Sequence, residues 1–320
     1  MEGRNDVKEV NADLPAAEQP SIEVNREKNE ITPHNAMDKP CACGKQGCSC
    51  GSEAVGATRP SYVYAIGKVV HRFPNRSIEL ELAQATSRRP EEELRGRTRE
   101  EVIHNALTDP GNRYIARQIC YVLTIEGLET YMLVPTDPLD IERLAEALRP
   151  VPTRGGLMDI DVVIGRRGII APPEMCNGLM VPIVMVDQIY SFDRDALMKA
   201  IPRKKGASED QFDKTASAVF DHIMQIADNA GATDEHRALN YLAVRYDEIY
   251  HRTQLMQDNN YSYSAVDVRL SRLSGTRKIV DVIFTYENRV NRSTQQWFVR
   301  VDVSEEFPFL VSPMQQYFER

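Results

Sequence analysis

Residues 158–202, MDIDVVIGRRGIIAPPEMCNGLMVPIVMVDQIYSFDRDALMKAIP, limit what this chain can fold into more than any other stretch. Two apolar runs of β character, Ile160–Ile164 and Val181–Phe192, flank a turn that holds Pro172, Pro173, Cys176, Asn177 and Gly178. Short apolar runs bounded by Gly and Pro read as strands, and the turn between them needs backbone angles that a strand does not supply. Asp193 is placed to cap a short helix after the second run. A rigid frame presenting an irregular loop is a usual position for recognition or chemistry. Cys176 and Asn177 are therefore the first site candidates, against the plainer reading of a Pro-stiffened turn with a half-buried thiol.

The flanking elements follow from the same periodicities. SYVYAIGKVV from Ser61 alternates as a strand that Pro74 ends, Ser77 is placed to cap a helix through Ala85, and Thr98 with Glu101 forms a capping box for a helix through Leu107. His104 on that helix reads as an ordinary histidine. CYVLTI and ETYMLV alternate on either side of Glu126-Gly127, a hairpin with Cys120 in its first strand as a core residue. Pro138 and Asp140 open a helix to Leu148. Ser208 and Gln211 start a helix whose Phe212, Ala216, Val219, Ile223 and Ile226 share a stripe, ending at Asn229/Gly231. A second helix, from Thr233, repeats Leu239, Leu242, Tyr246, Ile249, Thr253 and Met256 at alternating three and four residues.

So short a link predicts an antiparallel helical hairpin, with a homodimer seam as the other use of the second stripe. Beyond it, Val266–Leu270, Val280–Tyr286 and Trp297–Val303 alternate as an antiparallel meander. The terminal EEFPFLVSPMQQYF is too apolar to stay free, so it docks on the fold or crosses to a partner subunit. The fold class expected is α+β: mixed sheets with packed helices, a helical hairpin and a C-terminal antiparallel meander. The domain division expected is a tail over 1–60, an α/β subdomain over 61–206, and the hairpin plus meander over 207–320.

Residues 1–61 contain no Phe, Tyr or Trp, and the first forty carry nine acids against five bases, a composition expected to be disordered. The tail ends in CACGKQGCSCG, two Cys-x-Cys pairs four residues apart. Cys41, Cys43, Cys48 and Cys50 place four thiolates within reach of one Zn²⁺, with neighbouring glycines to fold round it. The spacing is tighter than that of structural zinc sites and closer to soft-metal thiolate clusters. Exposed redox-active thiols are the alternative.

A net charge of -8 argues against a nucleic-acid surface. No apolar run is long enough for a bilayer span, and MEGRNDVKEV lacks a signal-peptide core. A cytoplasmic location is the default expectation, and with it cysteines that are reduced, metal-binding or reactive rather than paired. No G-x-S-x-G, G-x-x-x-x-G-K-[ST], H-E-x-x-H or G-x-G-x-x-G motif occurs, so no catalytic residue is assigned. His71, at a strand end, is the best-placed histidine for acid–base work, and a Cys176–His71 nucleophile pair is one way an enzyme reading could stand.

Four stretches carry a family resemblance: SYVYAIGKVVHRFPN, RYIARQICYVLTIEGLETYMLVP, IAPPEMCNGLMVPIVMVDQIYSFDRDALMKAIP, and RKIVDVIFTYENR with FVRVDVSEEFPFLV. They resemble the C-terminal domain of unknown function attached to cyanobactin maturation proteases of the PatA and PatG kind, from about Ser61 onward. Nothing before Ser61 supplies a subtilisin-like protease's Asp, His and Ser blocks, so a stand-alone form is expected. The resemblance implies a setting in ribosomal peptide maturation, with a precursor peptide and maturation enzymes as partners, and carries over no catalytic residue. The expected role is a non-catalytic accessory or peptide-binding protein, with His71, Cys176 and Asn177 as peptide-binding or reactive candidates. The rival is an enzyme that modifies the peptide with Cys176 or with a metal at the Cys41–Cys50 cluster. A third reading makes the tail itself a substrate, a polar leader followed by a Cys/Gly/Ser core.

Overall fold

Ser61–Arg72 forms a 12-residue strand, β1, whose residues alternate between two different cores. The computed structural model describes residues 60–88, 90, 92, 95–150, 159–193, 209–225 and 229–318. The chain continues through α1 (Arg76–Ser87), α2 (Arg99–Leu107), α3 (Arg113–Ala116), β2 (Cys120–Ile125), β3 (Leu128–Pro135), α4 (Ile141–Glu146), β4 (Asp159–Ile170) and β5 (Pro182–Asp193). Then come α5 (Glu209–Met224), α6 (Asp234–Arg245), α7 (Glu248–Asp258), β6 (Tyr261–Leu270), β7 (Ile279–Asn288), β8 (Thr294–Asp302) and β9 (Phe309–Tyr317). The fold is α+β, as expected. The cap expected at Asp193 falls at the edge of residues outside those described.

The first sheet closes into a barrel in the order β1-β2-β3-β5-β4. The β3–β5 pair is parallel and the others are antiparallel. All five strands contribute to one cluster that includes Val63, Val69, Leu123, Leu133, Val163 and Val184, which is therefore the barrel interior. Helix residues Leu82, Leu107, Ile115 and Leu144 belong to the same cluster, so α1 to α4 cover the opening of the barrel. Asp161, 1% exposed, accepts from Val69 N at 2.7 Å and from the Ser191 hydroxyl, tying β4 to β1 and β5. A buried carboxylate persists only with such donors.

The opposite face of β1 and β4 (Tyr64, Ile66, Ile160, Val162, Ile164) packs on α5–α7 and on the meander residues Val282, Phe284, Val299 and Val301. The meander has the order β6-β7-β8-β9, and the apolar C-terminal stretch docks on the fold as its fourth strand.

Two helix expectations are corrected. α1 is capped by Asn75, whose side chain accepts from Ile78 N at 3.1 Å, not by Ser77. The stripe from Leu239 to Met256 spans two helices, not one. The helix breaks at Tyr246 (φ -128°, ψ 95°), whose hydroxyl accepts from Met314 N at 2.9 Å in β9. That tertiary bond outweighs the local periodicity. The stripe's Leu239, Leu242, Ile249, Thr253 and Met256 are all buried within the chain. Thr233 caps α6 and Thr98–Glu101 form the capping box of α2, both where the sequence places them.

Candidate functional site

The loop between β4 and β5 is built as a compact turn. Ala171 N donates to Val181 O at 2.9 Å, and Gly178 N to Pro173 O at 2.7 Å. Asn177 (φ 46°) and Gly178 (φ 85°) end it in the left-handed region, where Asn and Gly are the residues of least strain. Cys176 points inward, fully buried, and forms a disulfide with Cys120 at the start of β2. The Cα atoms lie 6.2 Å apart, within the span of such a bond. The bridge sits in a small apolar cluster with Val122, Met132 and Ala171.

This corrects three expectations: the cysteines are not all reduced, Cys120 is not merely a core thiol, and Cys176 presents no thiolate to act as nucleophile. A pair of cysteines 56 positions apart is joined because barrel closure carries the loop over β2. Cys41, Cys43, Cys48 and Cys50 lie outside the described residues. Among the described residues, no group of three or more His, Cys, Asp or Glu is placed to hold a metal ion.

His71 and Cys176 are not brought together. Val69 packs in the barrel interior and Val70 in the disulfide cluster, so the strand's period of two turns His71 to the side away from Cys176. His71 lies edge-on to Phe73, with ring centroids 5.4 Å apart. Burial, reinforced by the Arg99 guanidinium against the opposing pull of Glu100, holds its imidazole below the usual range.

Phe73 and α1 form the floor of a groove. On one side of α1, a cavity of about 370 Å³ is lined by Phe73, Leu82, Ala83, Arg97, Arg99, Val102 and Ile103. On the other side, about 430 Å³ is lined by Phe73, Asn75, Arg76, Leu80, Ala83 and Asn177. Phe73, Glu79 and Ala83 line both, so the two depressions adjoin along α1. The bridged loop places Asn177 at the border of the second, and Leu80 in its wall is 52% exposed. Of the three sequence candidates, Asn177 lines the groove, His71 backs its floor through Phe73, and Cys176 anchors the loop that borders it.

A second polar arrangement escaped the sequence reading. Arg237 on α6 is 2% exposed; its Nη1 donates to Val303 O at 2.8 Å, and its Nη2 to Glu306 O at 3.1 Å and to Glu305 O. Its guanidinium also lies 5.3 Å from the Tyr62 ring. Lys278 pairs with Asp234 at 2.9 Å beside it. Nearby, burial and the hydrogen-bonded Asp187 carboxyl push Glu306 up to about 7. Asp187 goes the other way: against burial, its bonds to Glu306 and Thr136 and the charge of Arg166 hold it below the usual range. These groups connect the barrel to the β8–β9 loop, and their charges are largely met within the chain. Only the Asp234/Arg237 spacing on one helix hints at them in sequence.

Residues 206–317 match the family described as PatG C-terminal, so the chain carries a PatG C-terminal-like domain there. A solved structure titled "PatG Domain of Unknown Function" has the same fold, with TM-score 0.65 and 19% identity over 81% of this chain and 99% of that one. No curated protein matches the chain.

Proposed function

We propose that this chain, from its PatG C-terminal-like domain, is a cytoplasmic, non-catalytic accessory protein of cyanobactin-like ribosomal peptide maturation that binds a peptide in the α1 groove. The observation that carries the reading is the pair of adjoining depressions on the two sides of α1, which share Phe73, one lined by Val102 and Ile103 and the other bordered by Asn177. An apolar floor with polar groups at its ends suits an extended chain whose side chains are buried while its backbone meets donors and acceptors. Pairing Cys176 with Cys120 removes the thiol on which the main enzymatic alternative relied. Burial of Cys176 shields the bridge from thiol exchange, so a cytoplasmic setting and a persistent disulfide are compatible.

The test is a titration of the purified full chain with a cyanobactin-type precursor peptide, followed by calorimetry and intact-mass spectrometry. Saturable binding without a change in peptide mass, weakened at least tenfold in Phe73→Ala, is the expected result. A stable mass change in the peptide, or binding indifferent to Phe73, overturns the proposal.

A further inference from the structure

The groove's charges go against those of the chain as a whole. The protein is net -8, yet the side chains lining the two depressions include three guanidinium groups, Arg76, Arg97 and Arg99, and one carboxylate, Glu79. All three arginines are exposed, so they border the groove without being buried in it. Arg97 and Arg99 flank the start of α2 at one side, and Arg76 stands at the start of α1 on the other. Between them lie Phe73, Leu80, Val102 and Ile103.

Resting on the peptide-binding reading above, we infer that the groove selects an acidic–apolar peptide segment. One or two large apolar side chains sit on Phe73, Val102 and Ile103, with carboxylates toward Arg97/Arg99 and toward Arg76. The 12 residues of α1 span about 18 Å, room for roughly five residues of extended peptide. Guanidinium forks bind carboxylates through paired N–H donors, which gives the sign preference geometric content as well as charge. Because the arginines are exposed, the preference depends on salt, while the apolar contacts do not. The commitment to an acidic partner rests on this complementarity of charge.

The experiment uses the full-length chain and three fluorescein-labelled synthetic nonapeptides alternating Leu with Glu, Gln or Lys, followed by anisotropy at low and high salt. The Glu peptide is expected to bind at least tenfold more tightly than the Gln peptide, an advantage that shrinks with added salt. Arg97→Glu/Arg99→Glu is expected to reverse the order, so that the Lys peptide binds best. Acidic residues at the start of a helix are favourable, so α2 should tolerate these changes, and circular dichroism checks this. Arg76→Glu, outside α2, gives an independent reversal at the other end. Equal affinity for Glu and Gln peptides, both lost in Phe73→Ala, overturns the acidic preference and leaves the groove reading intact. Failure of all three peptides to bind overturns the preference; the precursor titration above then decides the groove separately. Tight Glu-peptide binding unchanged by the arginine variants also overturns it.

Discussion

Tyr64 and Gly231 meet backbone to backbone: Tyr64 N donates to Gly231 O at 2.9 Å, and a Cβ on Gly231 would fall 2.3 Å from Tyr64 O. Gly231 has φ 68°, and Asn240 Nδ2 reinforces the joint with a 2.8 Å bond to Tyr64 O. Here the segment between α5 and α6 locks onto the barrel. Gly231→Ala is expected to destabilise by roughly 2 kcal/mol or more, since the positive φ and the overpacked contact penalise the methyl together. Urea unfolding measures it, and a change below about 0.5 kcal/mol would mean that the close approach is easily relaxed.

The sole tryptophan is half-buried at the edge of the inner meander face, with the Arg252 guanidinium 3.8 Å from its ring centroid. An inward-facing Trp297 follows from its strand alternation, but partial exposure lowers what its removal costs. Trp297→Ala is expected to cost on the order of 2 kcal/mol, below the ~3–5 kcal/mol of a fully buried ring. Arg252→Ala should cost about 1 kcal/mol and red-shift the fluorescence of Trp297 as water takes the guanidinium's place. An unchanged emission spectrum in that variant would remove the cation–π contact.

Joining positions 56 apart, the Cys120–Cys176 bridge restricts the unfolded chain as well as the β4–β5 loop. Cys120→Ala/Cys176→Ala is expected to lose on the order of 2–4 kcal/mol. It should also weaken peptide binding, because Asn177 is carried on the released loop. Melting curves with and without a dithiol reductant check the first point: as unfolding exposes the buried bridge to the reductant, wild type should fall toward the double variant, and the double variant should not respond.

How much of this was legible in the sequence depended on range. The Glu126-Gly127 hairpin and the Thr98–Glu101 box are local: both turn residues have positive φ, and both capping bonds form within one helical turn. Asn75 and Ser77 are both good capping residues two apart, so composition alone did not separate them. Barrel closure was not visible, because the parallel β3–β5 pair joins segments with no common turn. The same closure makes the Cys120–Cys176 pair, which no spacing rule reveals. The groove draws on Phe73 and α1, on Arg97–Ile103, and on Asn177, so only Asn177 and the neighbouring His71 stood out beforehand. Tyr246 shows the converse, a position with helical periodicity whose hydroxyl is taken by a distant strand.

Glu306 should give the molecule a pH dependence of a particular sign. Its ordinary value is 4.5, and in the folded protein burial and Asp187 raise it to about 7. Folding therefore favours the protonated carboxyl: the stability it supplies is fully present below 4.5, falls across the interval from 4.5 to about 7, and is gone above it. Asp187 is shifted down, so its contribution is present above its ordinary 3.8 and is lost only at lower pH, outside this interval. His71, also shifted down, slopes the opposite way near neutrality, so the comparison must be with a variant that keeps it. Glu306→Gln retains a neutral side chain of the same size beside Asp187, Arg166 and Arg237. Its stability relative to wild type is expected to rise steadily from pH 5 to pH 8, read as urea midpoints at matched ionic strength, and to level off above pH 8. A constant difference across that range would show that Glu306 ionises normally in the folded protein and that the contact with Asp187 does not hold a proton.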